Sequence, residues 1–122
     1  MKIRIKGNAI RIRITKSEVA DFCKNGYLEE KTFFNTGVFK YAIRQERNAS
    51  CFEAIFEDNT ISFILPKEMV ESWEVNEVVG FENIVVLSDG KELSLLLEKD
   101  FTCLEPRKED QTDNYPNPKF AE

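Results

Sequence analysis

The stretch from residue 2 to residue 14, KIRIKGNAIRIRI, alternates isoleucine with basic side chains on both sides of Gly7-Asn8. Alternation with a period of two is typical of a β-strand that buries one face. A two-residue loop that begins with glycine suits a type II′ turn, so the segment predicts a β-hairpin. This turn fixes the opposite pairs, which are Ile5 with Ile10 and Ile3 with Ile12 on one face, and Arg4 with Arg11 and Lys2 with Arg13 on the other.

Three further pairs of segments predict hairpins, because each has apolar or aromatic runs on both sides of turn-forming residues. Residues 27–34 and 38–46 flank Asn35-Thr36-Gly37, and residues 78–87 and 92–101 flank Asp89-Gly90, which favours a type I′ loop. An Asp58-Asn59 loop would place Phe56 opposite Ile61, Ala54 opposite Phe63 and Phe52 opposite Leu65.

Two short helices are predicted between the hairpins. Thr15-Lys16-Ser17-Glu18 has the form of a capping box, and the helix after it should end at Asn25-Gly26, burying Val19 and Phe22. Pro66 suits the first turn of a second helix, which we expect to end near residues 75–76. Its apolar stripe would be Met69, Val70 and Trp73.

These elements predict an α+β fold for one domain over residues 1–104. We expect about eight strands in hairpins, forming one mainly antiparallel, strongly curved sheet or a partly closed barrel, with two short helices over its open side or ends. Residues 105–122 carry three prolines and many charges and are interpreted as a polar tail. The expected core is Ile5, Ile12, Phe22, Phe56, Phe63, Trp73, Val86 and Leu95.

Charge and composition narrow the classes of function. The net charge of the 122 residues is −5, although residues 1–16 carry six basic side chains and no acidic one, so nucleic-acid binding is disfavoured. No apolar run is long enough to span a membrane. Three widely spaced cysteines argue against a disulfide framework and favour the cytoplasm.

The basic face of the first hairpin is the candidate site. Like charges opposite each other across two strands repel and need compensation. Two arginines at cross-strand spacing can hold a phosphate or carboxylate with their planar guanidinium groups. Acidic residues on neighbouring strands, or water alone, can compensate the same charge. The candidate anion-binding residues are Arg4, Arg11, Arg13 and Lys2, and the candidate acidic partners are Glu53, Glu57, Glu92 and Glu98.

Catalytic signals are few. The chain contains no histidine, which removes Ser-His and Cys-His catalysis, and its five glycines match no phosphate-binding loop. Cys23 and Cys51 are interpreted as core residues, and Cys103 is the one candidate for a reactive thiol, although a packing role is favoured over catalysis for it too. Residues 109–114 lack the glycine and final glutamate of an EF-hand loop, so we expect neither a metal nor a cofactor.

Motifs at both ends of the chain suggest a family. The opening MKIRIKGN and IRIRIT, and the closing KDFTCL (residues 99–104), Glu109-Asp110 and YPNP (residues 115–118), resemble a family of short uncharacterised bacterial proteins. The likeness spans nearly the whole chain. It implies a one-domain bacterial protein and transfers no catalytic residue.

Function follows from this balance of strong folding signals and weak catalytic ones. We expect a non-catalytic binding or interaction module, whose partner is a small anion or another protein. The alternative is a small enzyme or sensor for a phosphorylated or polyanionic molecule, which it would hold at the basic face of the first hairpin.

Overall fold

The computed structural model describes residues 1–101 of the chain, which are mostly β-structure. Its strands are β1 (Lys2–Lys6), β2 (Ala9–Ile14), β3 (Tyr27–Phe34), β4 (Gly37–Glu46), β5 (Glu53–Glu57), β6 (Thr60–Pro66), β7 (Gly80–Val86) and β8 (Glu92–Lys99). Its helices are α1 (Lys16–Asn25) and α2 (Lys67–Val70). The predicted boundary at residue 104, the predicted tail, residues 109–114 and Cys103 lie outside the described residues.

The prediction of an α+β fold with one curved, mainly antiparallel sheet or partly closed barrel is wrong, because the described residues are mostly strand and form two separate sheets. The strands form two open four-stranded sheets, sheet A in the order β1-β2-β8-β7 and sheet B in the order β3-β4-β6-β5. Both sheets are mixed, because β2 pairs with β8 in parallel and β4 pairs with β6 in parallel. Turn residues determine which strands form a hairpin, but they carry no information about which hairpins lie side by side.

The four hairpins themselves are confirmed. The first has the predicted register, with Ile5 opposite Ile10 and Arg4 opposite Arg11, and Gly7 has the positive φ of 55° that its turn requires. The third pairs Phe56 with Ile61, and both residues of its turn have positive φ, as in a type I′ turn.

The turn between β7 and β8 differs from the predicted two-residue loop. Three residues, Ser88 to Gly90, lie between Leu87 and Lys91, whose backbone atoms are joined by a 2.7 Å bond from Leu87 N to Lys91 O. Gly90 has a φ of 88°, which closes the bulge after the turn. Asp89 has a negative φ, so the type I′ prediction is wrong here.

Helix α1 begins and ends where the sequence predicts. The Thr15 hydroxyl accepts a hydrogen bond from the Glu18 amide, while the Glu18 carboxylate accepts one from the Thr15 amide. Gly26 ends the helix in the left-handed conformation, with a φ of 76°. Helix α2 stops at Val70, several residues earlier than predicted, and turns continue the segment. Neither of these helices is long and apolar enough to cross a membrane.

The inner faces of both sheets share one hydrophobic cluster. At one end, α1 contributes Phe22, and the segment after α2 contributes Trp73, both fully buried. The opposite end carries the hairpin turns of both sheets, since in each sheet the two parallel central strands begin there. The predicted core is correct for Ile12, Phe22, Phe63, Trp73 and Leu95 but wrong for Ile5, Phe56 and Val86, which are 54%, 68% and 70% exposed near the turns.

Candidate anion-binding site

The four candidate site residues lie on the outer face of sheet A. Lys2 and Arg4 are on the edge strand β1, opposite Arg13 and Arg11 on β2. Lys40 and Arg44, the basic residues of β4, lie in sheet B. The outer-face rows of the first hairpin therefore continue not into sheet B but across β8 and β7, where the neighbouring side chains are apolar, small or acidic.

Side-chain size creates a groove on this outer face. The register aligns residues in rows across the four strands, and short side chains stand on the central strands in the row nearest the turns. Ala9 and Ser94 form the floor between Lys6 on one edge and Ile84 on the other. The next row is Arg4, Arg11, Leu96 and Glu82. The groove has a volume of about 690 Å³, within the range of small-ligand sites.

An ion pair fills the row beyond the groove. The Arg13 Nε atom donates a 2.6 Å hydrogen bond to Glu98 Oε1, and the Arg11 Nη1 atom lies 3.7 Å from the same oxygen. Lys2 Nζ lies 3.3 Å from Asp100 Oδ2. Of the four acidic residues that the sequence suggested as partners, Glu98 is therefore the one that pairs with these arginines. It neutralises Arg13 most directly and Arg11 only weakly.

Arg4 and Lys6 are the basic residues of β1 and β2 that take no part in these ion pairs. Both are exposed, and neither forms an ion pair with any acidic group of residues 1–101. With Arg11, they line one side of the groove. Three cationic side chains at this spacing can hold one phosphate or carboxylate group, with Arg4 and Arg11 offering planar forks from opposite strands.

Two charged groove residues, Lys6 and Glu82, were missed by the sequence reasoning. Lys6 follows Arg4 by two positions and so shares its face, a signal that was available from the strand period. Glu82 had no such signal, because it reaches the groove only through the pairing of β7 with β8 and of β8 with β2.

The clearest displaced pKa values belong to groups outside the groove. Burial alone would raise the pKa of Glu18, but hydrogen bonds from the Met1 ammonium, 2.6 Å away, and from the Thr15 amide lower it overall. A hydrogen bond from Lys40 lowers the pKa of Glu29. Burial raises the pKa of Tyr41, whose hydroxyl donates to the Met1 carbonyl at 3.1 Å. Glu18 and Tyr41 thus join α1 and sheet B to Met1, just before β1, whereas the Glu29–Lys40 pair links two strands of sheet B.

A second, apolar cleft of about 420 Å³ opens between the sheets at the hairpin turns. It is bordered by Ile5 and Ile10 of sheet A and by Phe39, Phe56 and Ile61 of sheet B. The exposure of Ile5 and Phe56 follows from this opening, because their side chains face the inter-sheet space at an end that neither α1 nor α2 covers.

The thiols and carboxylates of the described residues form no further site. Cys23 packs against the core and its Sγ atom donates to the Val70 carbonyl at 3.4 Å, whereas Cys51 is exposed, contrary to its predicted core position. Within residues 1–101, no three Asp, Glu or Cys side chains are placed to share a metal ion.

Comparison with known proteins gives a family. No curated protein and no solved structure matches the chain. A family model does match, over residues 1–119, which is nearly the full length. The chain therefore belongs to the family described as Family of unknown function (DUF7009).

Proposed function

We propose that the protein is a non-catalytic binding module and that its ligand is a small molecule with one anionic group and an apolar body. The ligand lies in the groove of sheet A. Its anionic group binds between Arg4, Lys6 and Arg11, and its body crosses the short side chains of the central strands. The observation that carries this proposal is the position of Arg4, which has no acidic partner within residues 1–101, opposite a weakly neutralised Arg11 at the side of a groove.

The electrostatics favour an incoming anion at this place. The Arg11 guanidinium lies 3.7 Å from the Glu98 carboxylate, which already accepts a shorter bond from Arg13. An anionic ligand can therefore bind the Arg11 guanidinium while the Arg13–Glu98 contact stays in place. Charge-assisted bonds to a guanidinium are about twice as strong as neutral hydrogen bonds. The sum of these contacts favours one anionic group at the β1 and β2 side.

The opposite side of the groove defines the rest of the ligand. Leu96 and Ile84 offer apolar surface, and Glu82 places a negative charge on β7. Adjacent strands are about 4.8 Å apart, so Glu82 stands roughly 10 Å from Arg11. A molecule that is anionic at both ends would be repelled there. Glu82 favours a ligand whose far end is neutral or donates a hydrogen bond.

Thermal denaturation at low salt tests the proposal. The panel contains phosphate, pyrophosphate, nucleotides and citrate, together with benzoate and octanoate, each with and without magnesium. A ligand at 100 times its Kd stabilises the folded state by about 2.7 kcal/mol and raises the Tm. We expect octanoate or benzoate to give a larger shift than phosphate, and the double variant Arg4→Ala, Arg11→Ala to lose it.

Lys2→Ala is the matched control, since Lys2 lies on the same face of β1 but outside the groove. It should keep the shift. Equal loss in Lys2→Ala would mean general charge screening and would contradict the proposal, as would a panel in which no anion raises the Tm. Magnesium-dependent phosphate release that disappears in Arg11→Ala would instead establish an enzyme acting on phosphorylated molecules.

A further inference from the structure

Two strand edges carry opposite charge. Strand β1 has the sequence KIRIK and is an edge of sheet A, while β5 has the sequence EAIFE and is an edge of sheet B. Both are five residues long. The side chains at their ends, Lys2 and Lys6 on β1 and Glu53 and Glu57 on β5, are exposed.

Both edges keep one side of their backbone unpaired within residues 1–101. Strand β1 pairs only with β2 in this part of the chain, and β5 pairs only with β6. Such a row of amide and carbonyl groups is a template for another strand. Charged edge residues ordinarily prevent this by repulsion, but they do so only between edges of the same sign.

An antiparallel alignment of β1 with β5 brings opposite charges together and keeps the apolar side chains of both strands on the same face. It places Lys2 opposite Glu57 and Lys6 opposite Glu53, all on the outer faces of their sheets. On the inner faces it brings Ile3 beside Phe56 and Ile5 beside Ala54. The exposed apolar surface of Ile5 and Phe56 would then be covered, and such cross-strand pairs stabilise a sheet.

We propose that two copies of the chain associate through these edges, with β1 of each copy beside β5 of the other. Ile5 of β1 and Phe56 of β5 border the same cleft in each copy. In the proposed dimer the contact between β1 and β5 is made twice, related by a two-fold axis, and this closes the assembly. The inference is independent of the groove, although Lys6 takes part in both.

Analytical ultracentrifugation of the full chain over a range of protein concentrations and salt tests the dimer. The wild type should be a dimer whose Kd rises with salt, because exposed ion pairs are screened. Lys2→Glu, Lys6→Glu makes both edges acidic, and Glu53→Lys, Glu57→Lys makes both basic. Each double variant should dimerise at least about tenfold more weakly than the wild type.

Mixing the two double variants provides the specific test. Each acidic edge then meets a basic one, so the mixture should form a heterodimer with an affinity close to that of the wild type. Hydrogen exchange should slow at the amides of β1 and β5 on dimerisation and leave those of β3 and β7 unchanged. Glu53→Lys, Glu57→Lys should keep the anion response of the groove, which separates this inference from the proposed function.

Matched controls reverse the same number of charges away from the edges, with Lys16→Glu, Lys24→Glu on α1 and Glu71→Lys, Glu74→Lys after α2, all at exposed positions. They should leave the dimer intact. A wild type that stays monomeric at every concentration, a dimer that survives both edge reversals, or a mixture that does not associate overturns the proposal. A mass that grows beyond the dimer overturns the two-fold closure.

Discussion

Replacing Trp73 by phenylalanine should lower the free energy of unfolding by about 2.5–5 kcal/mol. Trp73 is fully buried and closes the end of the sheet pair opposite the hairpin turns. Its indole Nε1 donates a 2.8 Å hydrogen bond to the Val78 carbonyl, and its ring meets Phe81 edge-on at 4.9 Å. Lys99 Nζ lies 5.7 Å from the ring centre.

The expected loss in the free energy of unfolding is the sum of the interactions of Trp73 that phenylalanine cannot make. Leaving the Val78 carbonyl without its donor costs about 1–3 kcal/mol. Losing the interaction between the Lys99 cation and the indole ring costs about 0.5–1 kcal/mol. The smaller ring also leaves a void in the cluster, which adds roughly 1 kcal/mol. The contact with Phe81 is retained, since two phenyl rings also favour edge-on packing.

Urea denaturation followed by far-UV circular dichroism measures the effect in both proteins. Fluorescence serves only the wild type, because Trp73 is the one tryptophan in the chain. Val75→Ala, an exposed position in the same segment, is the control and should change stability by less than about 0.5 kcal/mol. A loss below about 1 kcal/mol in Trp73→Phe would refute the reasoning, because the Val78 carbonyl would then have another partner.

Two other predictions concern the packing of β7 and the start of α1. Gly80→Ala should destabilise the protein by about 1–3 kcal/mol in the same urea assay, because its Cβ atom would lie 2.4 Å from the Leu97 carbonyl oxygen. Gly37→Ala, with open space around it, should be close to neutral and is the control. Glu18→Gln should lower stability at pH 7 by about 1–3 kcal/mol, since the charged bond to the Met1 ammonium is lost. The folded-state pKa of Glu18 is lowered, so its contribution is present above the unfolded pKa and disappears as the pH falls through the folded one. The wild type and Glu18→Gln should therefore converge in stability once the pH is low enough to protonate Glu18 in the folded state, and a difference that stays undiminished down to acid unfolding would contradict this assignment.

The local elements were predictable because their causes are contiguous in the sequence. Gly7-Asn8 and Asp58-Asn59 each specify a turn, and the period-two pattern beside each turn specifies the register. Thr15 and Glu18 mark the start of α1 for a similar reason, since a capping box needs only four residues. Helix α2 was predicted too long, because burial of Val70 and Trp73 is achieved by a short helix followed by turns.

The arrangement of hairpins was not predictable in this way. Residues 9–14 and 92–99 pair in parallel although most of the chain lies between them. Every hairpin offers a similar apolar face and a similar edge, so the local pattern is compatible with one curved sheet as well as with two. The choice depends on how the inner faces pack together in one cluster, which is a property of the whole chain.

The candidate site was likewise predictable in its local part and unpredictable in its long-range part. The sequence by itself determined that Arg4 stands opposite Arg11 on a solvent-facing surface, because strand period and turn type fix which side chains share a face. Only the tertiary structure decided that Arg13 forms an ion pair with Glu98 and that Lys2 forms one with Asp100. It also decided that Glu82 lies on the far side of the groove. The reason is physical, since neutralisation depends on which charges lie within a few ångströms and such neighbours come from strands far apart in the chain.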